Sequence, residues 1–276
     1  MSTIGTSVDF VKMHGLGNDF VVFDFRDNDL RLDATQVQSI ADRKQGIGCD
    51  QLITLLPADN ATAFMRIQNA DGSEVDACGN ASRCVASLLM SESGDDSVVL
   101  ATNAGLLACS REAGSDVISV DMGVPALDWQ AIPLARAMNT ITGDYTHGPL
   151  SNPGFANVGN PHAVFFVEDA SAVSLDILGP AIETDPLFPE RINVEVAEVM
   201  SPDLIRMRVW ERGVGITRAC GTGACATLIA ASRRGLVGRT ATIRLDGGDL
   251  QLEWTADDHI IMSGGATISF HGKVSL

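Results

Sequence analysis

Between Val8 and Phe25 the chain reads VDFVKMHGLGNDFVVFDF, two apolar stretches with polar residues interspersed, separated by Gly-Leu-Gly-Asn. That pattern predicts a pair of strands joined at the glycines. A polar helix follows near Asp33–Arg43, with Asp33 as its N-cap. Alternating or continuous apolar character predicts strands near Gln51–Leu56 and Ala63–Asn69. From about Gly79 to Ser91 the residues are small or apolar nearly all round, as in a helix enclosed by sheet. Strands near Val98–Ala101, Gly105–Arg111 and Asp116–Asp121 complete this stretch. The second half gives strands near Ala163–Val167, Ile192–Val199 and Leu204–Glu211, a helix from about Gly221 to Arg234, and strands near Ala241–Leu245, Leu250–Trp254 and His259–Ser263. SREAGSD, YTHGPLSNPG and LDGGD read as turns.

The two halves share more than their element order. Cys78 and Cys220 lie 142 residues apart, and the same interval carries Gly17-Asn18 onto Gly159-Asn160 and Val22-Phe23 onto Val164-Phe165. It also carries Met65-Arg66 onto Met207-Arg208, Ala77-Cys78-Gly79 onto Ala219-Cys220-Gly221, and Gln51 onto Asn193. The matches fall on rare or chemically capable residues rather than on Ala and Leu, so they read as a true internal repeat. The expected fold is α+β: two pseudo-symmetric halves, each a curved, mostly antiparallel sheet wrapped around a central α-helix. The division is expected near DMGVPALDW, residues 121–129.

Composition narrows the function. A chain of 276 residues needs no metal or disulfide staple to hold a core. A formal charge of −16, with no basic run longer than Arg233-Arg234, argues against nucleic-acid and anionic-membrane partners. MSTIGTSVDF has neither the basic start nor the apolar core of an export signal, and no apolar run approaches the roughly 18 residues of a membrane helix. The expected location is the cytoplasm, with the six cysteines reduced.

Ala-Cys-Gly at the mouth of a helix, twice, is a chemical statement. Helix N-termini present unpaired amides and a partial positive charge, which lowers the pKa of a thiol there and favours thiolate near neutral pH. The following glycine lets an anion approach those amides. Facing each other, two such cysteines suit removal of a proton from one face of a carbon and its return on the other. The carbanion formed beside a carboxylate would be stabilised by helix-end amides. No cofactor is expected: a pyridoxal route needs a Schiff-base lysine, and Lys12, Lys44 and Lys273 all lie outside these motifs. No metal is expected either, because the cysteine spacings contain no CxxC pair. Cys49, Cys84, Cys109 and Cys225 read as small core residues. The repeat breaks where Asn69-Ala70 faces Glu211-Arg212. A Glu-Arg pair at a strand end is ordinarily solvated; its register with Asn69 instead suggests a second substrate carboxylate held by Arg212.

KMHGLGNDFVVFD, GIGCDQL, NADGSEVDACGN, VGNPHAVFF, RINVEV and WERGVGITRACGTGACAT together resemble the diaminopimelate epimerase family across essentially the whole chain. The resemblance implies cofactor-free two-base interconversion of LL- and meso-2,6-diaminopimelate, for lysine and peptidoglycan precursor synthesis, by a homodimer. It makes Cys78 and Cys220 the acid/base pair, with His162 and Glu211 tuning their pKa values. Gly79, Asn80, Gly221 and Thr222 match positions that hold the reacting carboxylate. Asn18, Gln51, Asn69, Asn160, Asn193, Glu211 and Arg212 match other substrate-binding positions. FHGKVSL resembles a segment that completes the first half's sheet and approaches the dimer partner, which places Phe270 at the interface. The halves are then 1–123 with 265–276, carrying Cys78, and 124–264, carrying Cys220. Three positions depart from the family's usual pattern: Ala81-Ser82 inside CGNASRC, Ile216 where many members have Glu, and Cys49 where Phe is common. A role assigned to that Glu does not transfer.

Overall fold

The computed structural model describes residues 7–276 apart from Asp29, Ala77 and Ala113. The first six residues of the expected N-terminal half, and Ala77 of the repeat, therefore lie outside the described residues. The chain divides into two compact units: residues up to Val120 with Gly264–Leu276, and Asp121–Ser263. Asp121–Gly123, expected in the first half, fall in unit 2, and Gly264, expected in the second, falls in unit 1. The strands containing Asp121 and Gly264 run across the division, and each belongs with the unit that holds most of its residues. Met122 N donates to Ile260 O, Ile260 N to Gly123 O, and the Asp121 carboxylate meets His259 Nδ1 at 2.9 Å.

Unit 1 contains β1 (Ser7–Gly15), β2 (Asn18–Asp24), α1 (Ala34–Ala41), β3 (Gln51–Leu56), β4 (Ala63–Asn69), β5 (Glu74–Val75), α2 (Gly79–Ser93), β6 (Ser97–Thr102), β7 (Gly105–Arg111) and β8 (Val117–Asp121). The two residues between β1 and β2, Leu16 and Gly17, have φ of 58° and 83°, the left-handed pair of a tight hairpin. β2 runs parallel to β3, β3 antiparallel to β4, and β4 antiparallel to β5 but parallel to β6; β6, β7 and β8 are antiparallel neighbours. Asp33 caps α1 in a reciprocal capping box with Gln36.

Unit 2 begins with a small hairpin of β9 (Thr146–His147) and β10 (Leu150–Ser151), within the segment expected to be turn only. It continues with β11 (Gly154–Asn157), β12 (Pro161–Phe166), α3 (Leu175–Glu183), β13 (Asn193–Ser201), β14 (Leu204–Glu211), β15 (Gly215–Thr217), α4 (Gly221–Arg233), β16 (Thr240–Leu245), β17 (Gly248–Trp254) and β18 (Ile260–Gly265). Its pairings repeat those of unit 1: β12 parallel to β13, β14 antiparallel to β13 and β15 but parallel to β16, then β16, β17 and β18 antiparallel. The chain ends in β19 (Thr267–Ser275), which pairs antiparallel with β1 and so completes the sheet of unit 1.

Alternation fixes the layers. In unit 1, Val21, Phe23 and Leu52 pack with Val37 and Ile40 of α1. Side chains one position along a strand point the opposite way, so Phe20, Val22, Gln51 and Ile53 face α2. In unit 2, Ala163, Phe165, Val194 and Val196 pack with Leu175 and Ile182 of α3, which turns His162, Val164, Asn193 and Glu195 toward α4. Helix α4 is buried from Gly223 to Ala231. Helix α2 carries one surprise for a helix read as small and apolar: Arg83 is fully buried within it.

Candidate active site

Both central helices begin at a cysteine. Cys78 is the N-cap of α2 with φ −149° and ψ 106°, and Cys220 is the N-cap of α4 with φ −126° and ψ 111°. This extended geometry leaves the first amides of each helix directed at whatever sits before its mouth.

In unit 1, Gly79 and Asn80 open α2. The Asn80 carbonyl Oδ1 accepts from Arg83 Nη2 at 2.9 Å, so the buried guanidinium holds that amide in place. Gly15 at the end of β1 comes close to both: a Cβ added there would lie 3.3 Å from Arg83 Nη2 and from Asn80 O. Gln51 and Asn69 are register partners, and Gln51 Nε2 donates to Asn69 Oδ1 at 3.0 Å. Asn69 Nδ2 in turn donates to Ser73 Oγ at 3.0 Å. Asn18 Oδ1 and Gln51 Oε1 are buried with no hydrogen-bond partner among the described residues.

Unit 2 gathers its own set. The sulfur of Cys220 accepts from Gly223 N at 3.3 Å and lies 3.5 Å from Thr222 Oγ1, while Gly221 forms the first turn. His162 is fully buried, with Nδ1 2.7 Å from Glu195 Oε1 and Nε2 2.8 Å from Asn160 Oδ1. Glu211 at the end of β14 accepts from Thr217 Oγ1 of β15. Asn193 is occupied at both ends of its amide, Nδ2 donating to Pro161 O at 2.8 Å and Oδ1 accepting from Arg212 N at 2.9 Å. Arg212 spends one guanidinium N–H on Glu190 O at 3.0 Å, and its other side-chain donors have no protein partner among the described residues. Phe270 belongs to neither set; its ring lies edge-on to Phe10 at 6.0 Å.

The mouth of α4 does not make its thiol more acidic. Cys220 is pushed well above the ordinary cysteine value, first by burial and then by the carboxylates of Glu211 and Glu195. Desolvation and two nearby carboxyl groups outweigh the amide dipoles of α4. Glu211 is itself raised, again by burial before anything else. Cys49, Cys84 and Cys109 are also raised by burial, to about 11, 12 and 12, as fits inert core thiols.

These two residue sets sit in a chain whose sequence matches the diaminopimelate epimerase family over residues 10–127 and 154–269. The chain belongs to that family. Members named diaminopimelate epimerase include one from Erythrobacter litoralis (strain HTCC2594), 58% identical over 266 residues and covering 96% of each chain. Another, from Rhodospirillum centenum (strain ATCC 51521 / SW), is 55% identical over 96% of this chain and 92% of its own. Among solved structures, a putative PhzC/PhzF phenazine biosynthesis protein from Clostridium difficile (strain 630) shares the fold with a TM-score of 0.70 and 13% identity, over 98% of this chain and 100% of its own. A hydroxyproline epimerase from Agrobacterium vitis does so with a TM-score of 0.67 and 17% identity, over 98% and 93%. The family's fold is therefore this chain's α+β fold.

Four supporting residues escaped the sequence reading. Glu195 and Arg83 are charges inside stretches that read as buried strand and small-residue helix. Glu183, at the end of α3, accepts from Trp210 Nε1 at 2.7 Å and Gly213 N at 2.9 Å, and so clamps the turn bearing Glu211 and Arg212. Thr217 holds the Glu211 carboxylate. The repeat itself held the missing signal: a charge replacing an apolar residue at a position its partner half fills with Ile marks a place under different demands.

Proposed function

We infer that this protein is a diaminopimelate epimerase, an amino-acid isomerase that converts LL-2,6-diaminopimelate to the meso form in lysine and peptidoglycan precursor synthesis, without a pyridoxal cofactor. What carries the reading is one observation: two cysteines at equivalent helix N-caps of a repeated fold, in a chain 58% identical to a named diaminopimelate epimerase. One cysteine, as thiolate, takes the α-proton; the electron pair of the C–H bond passes into the adjoining carboxylate. The other, as thiol, returns a proton to the opposite face. Amides of Gly79, Asn80, Gly221 and Thr222 stabilise the charge that builds on the carboxylate oxygens. Asn18, Gln51, Asn69, Asn160 and Asn193 recognise the rest of the substrate. Arg212 takes the distal carboxylate with its unspent donors, and Glu211 takes the distal ammonium. His162 and Glu211 adjust the acidity of the cysteine pair.

The raised Cys220 fits the thiol role in the unliganded protein. The active form is proposed to be a homodimer in which Phe270 of β19 contributes to the interface. Supplying LL-diaminopimelate in deuterated water tests the chemistry: the α-carbon of the product carries deuterium, and Cys78→Ala or Cys220→Ala each abolish turnover with the fold intact. Wild-type rates in either variant, or racemisation of L-proline in place of diaminopimelate, would refute the assignment.

A further inference from the structure

We propose that Glu195 is a positioning residue of the Cys220 half-site, locking the His162 ring so that its Nε2–H holds the Asn160 carbonyl and turns the Asn160 amide N–H groups toward the ligand. The inference rests on Asn160 being a substrate contact.

The repeat supplies the starting observation. The interval of 142 residues that relates the two cysteines sets His162 against Phe20, and Glu195 against Ile53. All four side chains are fully buried, and all four point toward the central helix of their own unit. Unit 1 therefore fills these places with hydrocarbon. The fold does not require a polar pair there, yet unit 2 carries one and bears its cost: Glu195 Oε2 is buried with no hydrogen-bond partner among the described residues. An unsatisfied buried acceptor carries its full desolvation cost, which an aliphatic side chain would avoid. Rules of packing broken in one half and kept in its repeat point to function.

Hydrogen-bond chemistry then fixes the ring. Its two nitrogens face two oxygens, Glu195 Oε1 at 2.7 Å and Asn160 Oδ1 at 2.8 Å. An amide oxygen only accepts, so Nε2 must carry hydrogen. The Glu195 carboxyl group at Nδ1 holds the ring in this orientation. Without a partner at Nδ1 the ring could equally present a bare Nε2. Asn160 would then reverse its amide to donate, and would offer a substrate carboxylate an oxygen in place of N–H donors. The arrangement also lies close to the chemistry. A methyl group on Gly223 would lie 2.8 Å from Glu195 Oε1 and 3.3 Å from the Cys220 sulfur, so carboxyl and thiol crowd the same backbone carbon.

Two variants and one spectrum test this. Glu195→Ile copies unit 1. It is expected to unfold cooperatively like wild type but to raise KM for LL-diaminopimelate at least tenfold, with kcat falling less than threefold. Glu195→Gln retains an amide N–H that can donate to Nδ1 and keep Nε2–H on Asn160, and is expected to restore KM to within threefold of wild type. Long-range 1H–15N spectra, with His162 assigned through His162→Gln, should show Nε2 protonated in wild type and in Glu195→Gln. The spectra need no turnover, so they stand even if the enzyme acts on another substrate, and they decide alone if Glu195→Ile does not fold. An unchanged KM in Glu195→Ile, equal damage from both variants, or a bare Nε2 in wild type would overturn the proposal.

Discussion

Single atoms decide much at the mouth of α4. Gly223 has no room for a side chain, because a Cβ would press on Glu195 Oε1 and the Cys220 sulfur together. Gly223→Ala is therefore expected to cost about 1–3 kcal/mol of stability by overpacking and to lower kcat at least tenfold by displacing the sulfur; thermal unfolding and steady-state rates check both. The same crowding sets the thiol's acidity. Cys220 faces Glu211 from β14, Glu195 from β13 and, beyond them, the ring of His162 from β12. Burial and the two carboxylates all favour the protonated form. Modification of Cys220 by iodoacetamide in the unliganded protein should accordingly rise only above pH 9. Removing a negative neighbour eases ionisation, so Glu211→Gln should move that rise to lower pH, as mass spectrometry of the labelled peptide would report.

Elements position these atoms through register and through one helix that the sequence pattern concealed. The cysteine caps, both central helices and strands such as Gln51–Leu56 were legible because periodicity, turn glycines and the repeat all agreed. Helix α3 was not, since Gly179-Pro180 in its middle imitates a break, and Pro180 removes a helical donor there. The repeat would have revealed it, because Ala34 of α1 falls one residue from Leu175 at the same interval. Glu195 and Arg83 were illegible for another reason: local pattern reports hydrophobicity, whereas a buried charge is defined by partners distant in sequence. Helix α3 matters because its last residue, Glu183, holds Trp210 and Gly213 on either side of Glu211-Arg212. Glu183→Ala leaves two partly buried donors unpaired. It is expected to lower stability by about 1–3 kcal/mol and to raise KM several-fold with kcat little changed, since the loosened turn misplaces Arg212 while the cysteines stay capped. A kinetic titration with LL-diaminopimelate distinguishes this from a loss of chemistry.

At the scale of the whole molecule, the chain's charge and its last strand bear on assembly together. Strand β19 completes the sheet of unit 1 by pairing with β1 from Ser7↔Ser275 to His14↔Thr267. It is nonetheless exposed along most of its length, and Ile268 and Phe270 show 45% and 49% of their surface. The register slips between them, Lys12 pairing with Phe270 and Met13 with Ile268, so the two do not share a face, and the exposed Phe270 ring is the apolar patch on an otherwise acidic chain. Two copies carrying −16 each repel at long range, and salt shortens that repulsion to roughly 8 Å at physiological strength. If the proposed homodimer forms through this patch, association should strengthen as salt rises, the reverse of an interface held by ion pairs. Phe270→Asp places a charge in that contact and removes an aromatic anchor, and should shift sedimentation toward monomer at micromolar concentration. The fold of unit 1 should survive, because the Phe270 ring is already half exposed and covers only the edge of Phe10. A variant that sediments as wild type at every salt concentration would refute Phe270 as a contact of the proposed dimer.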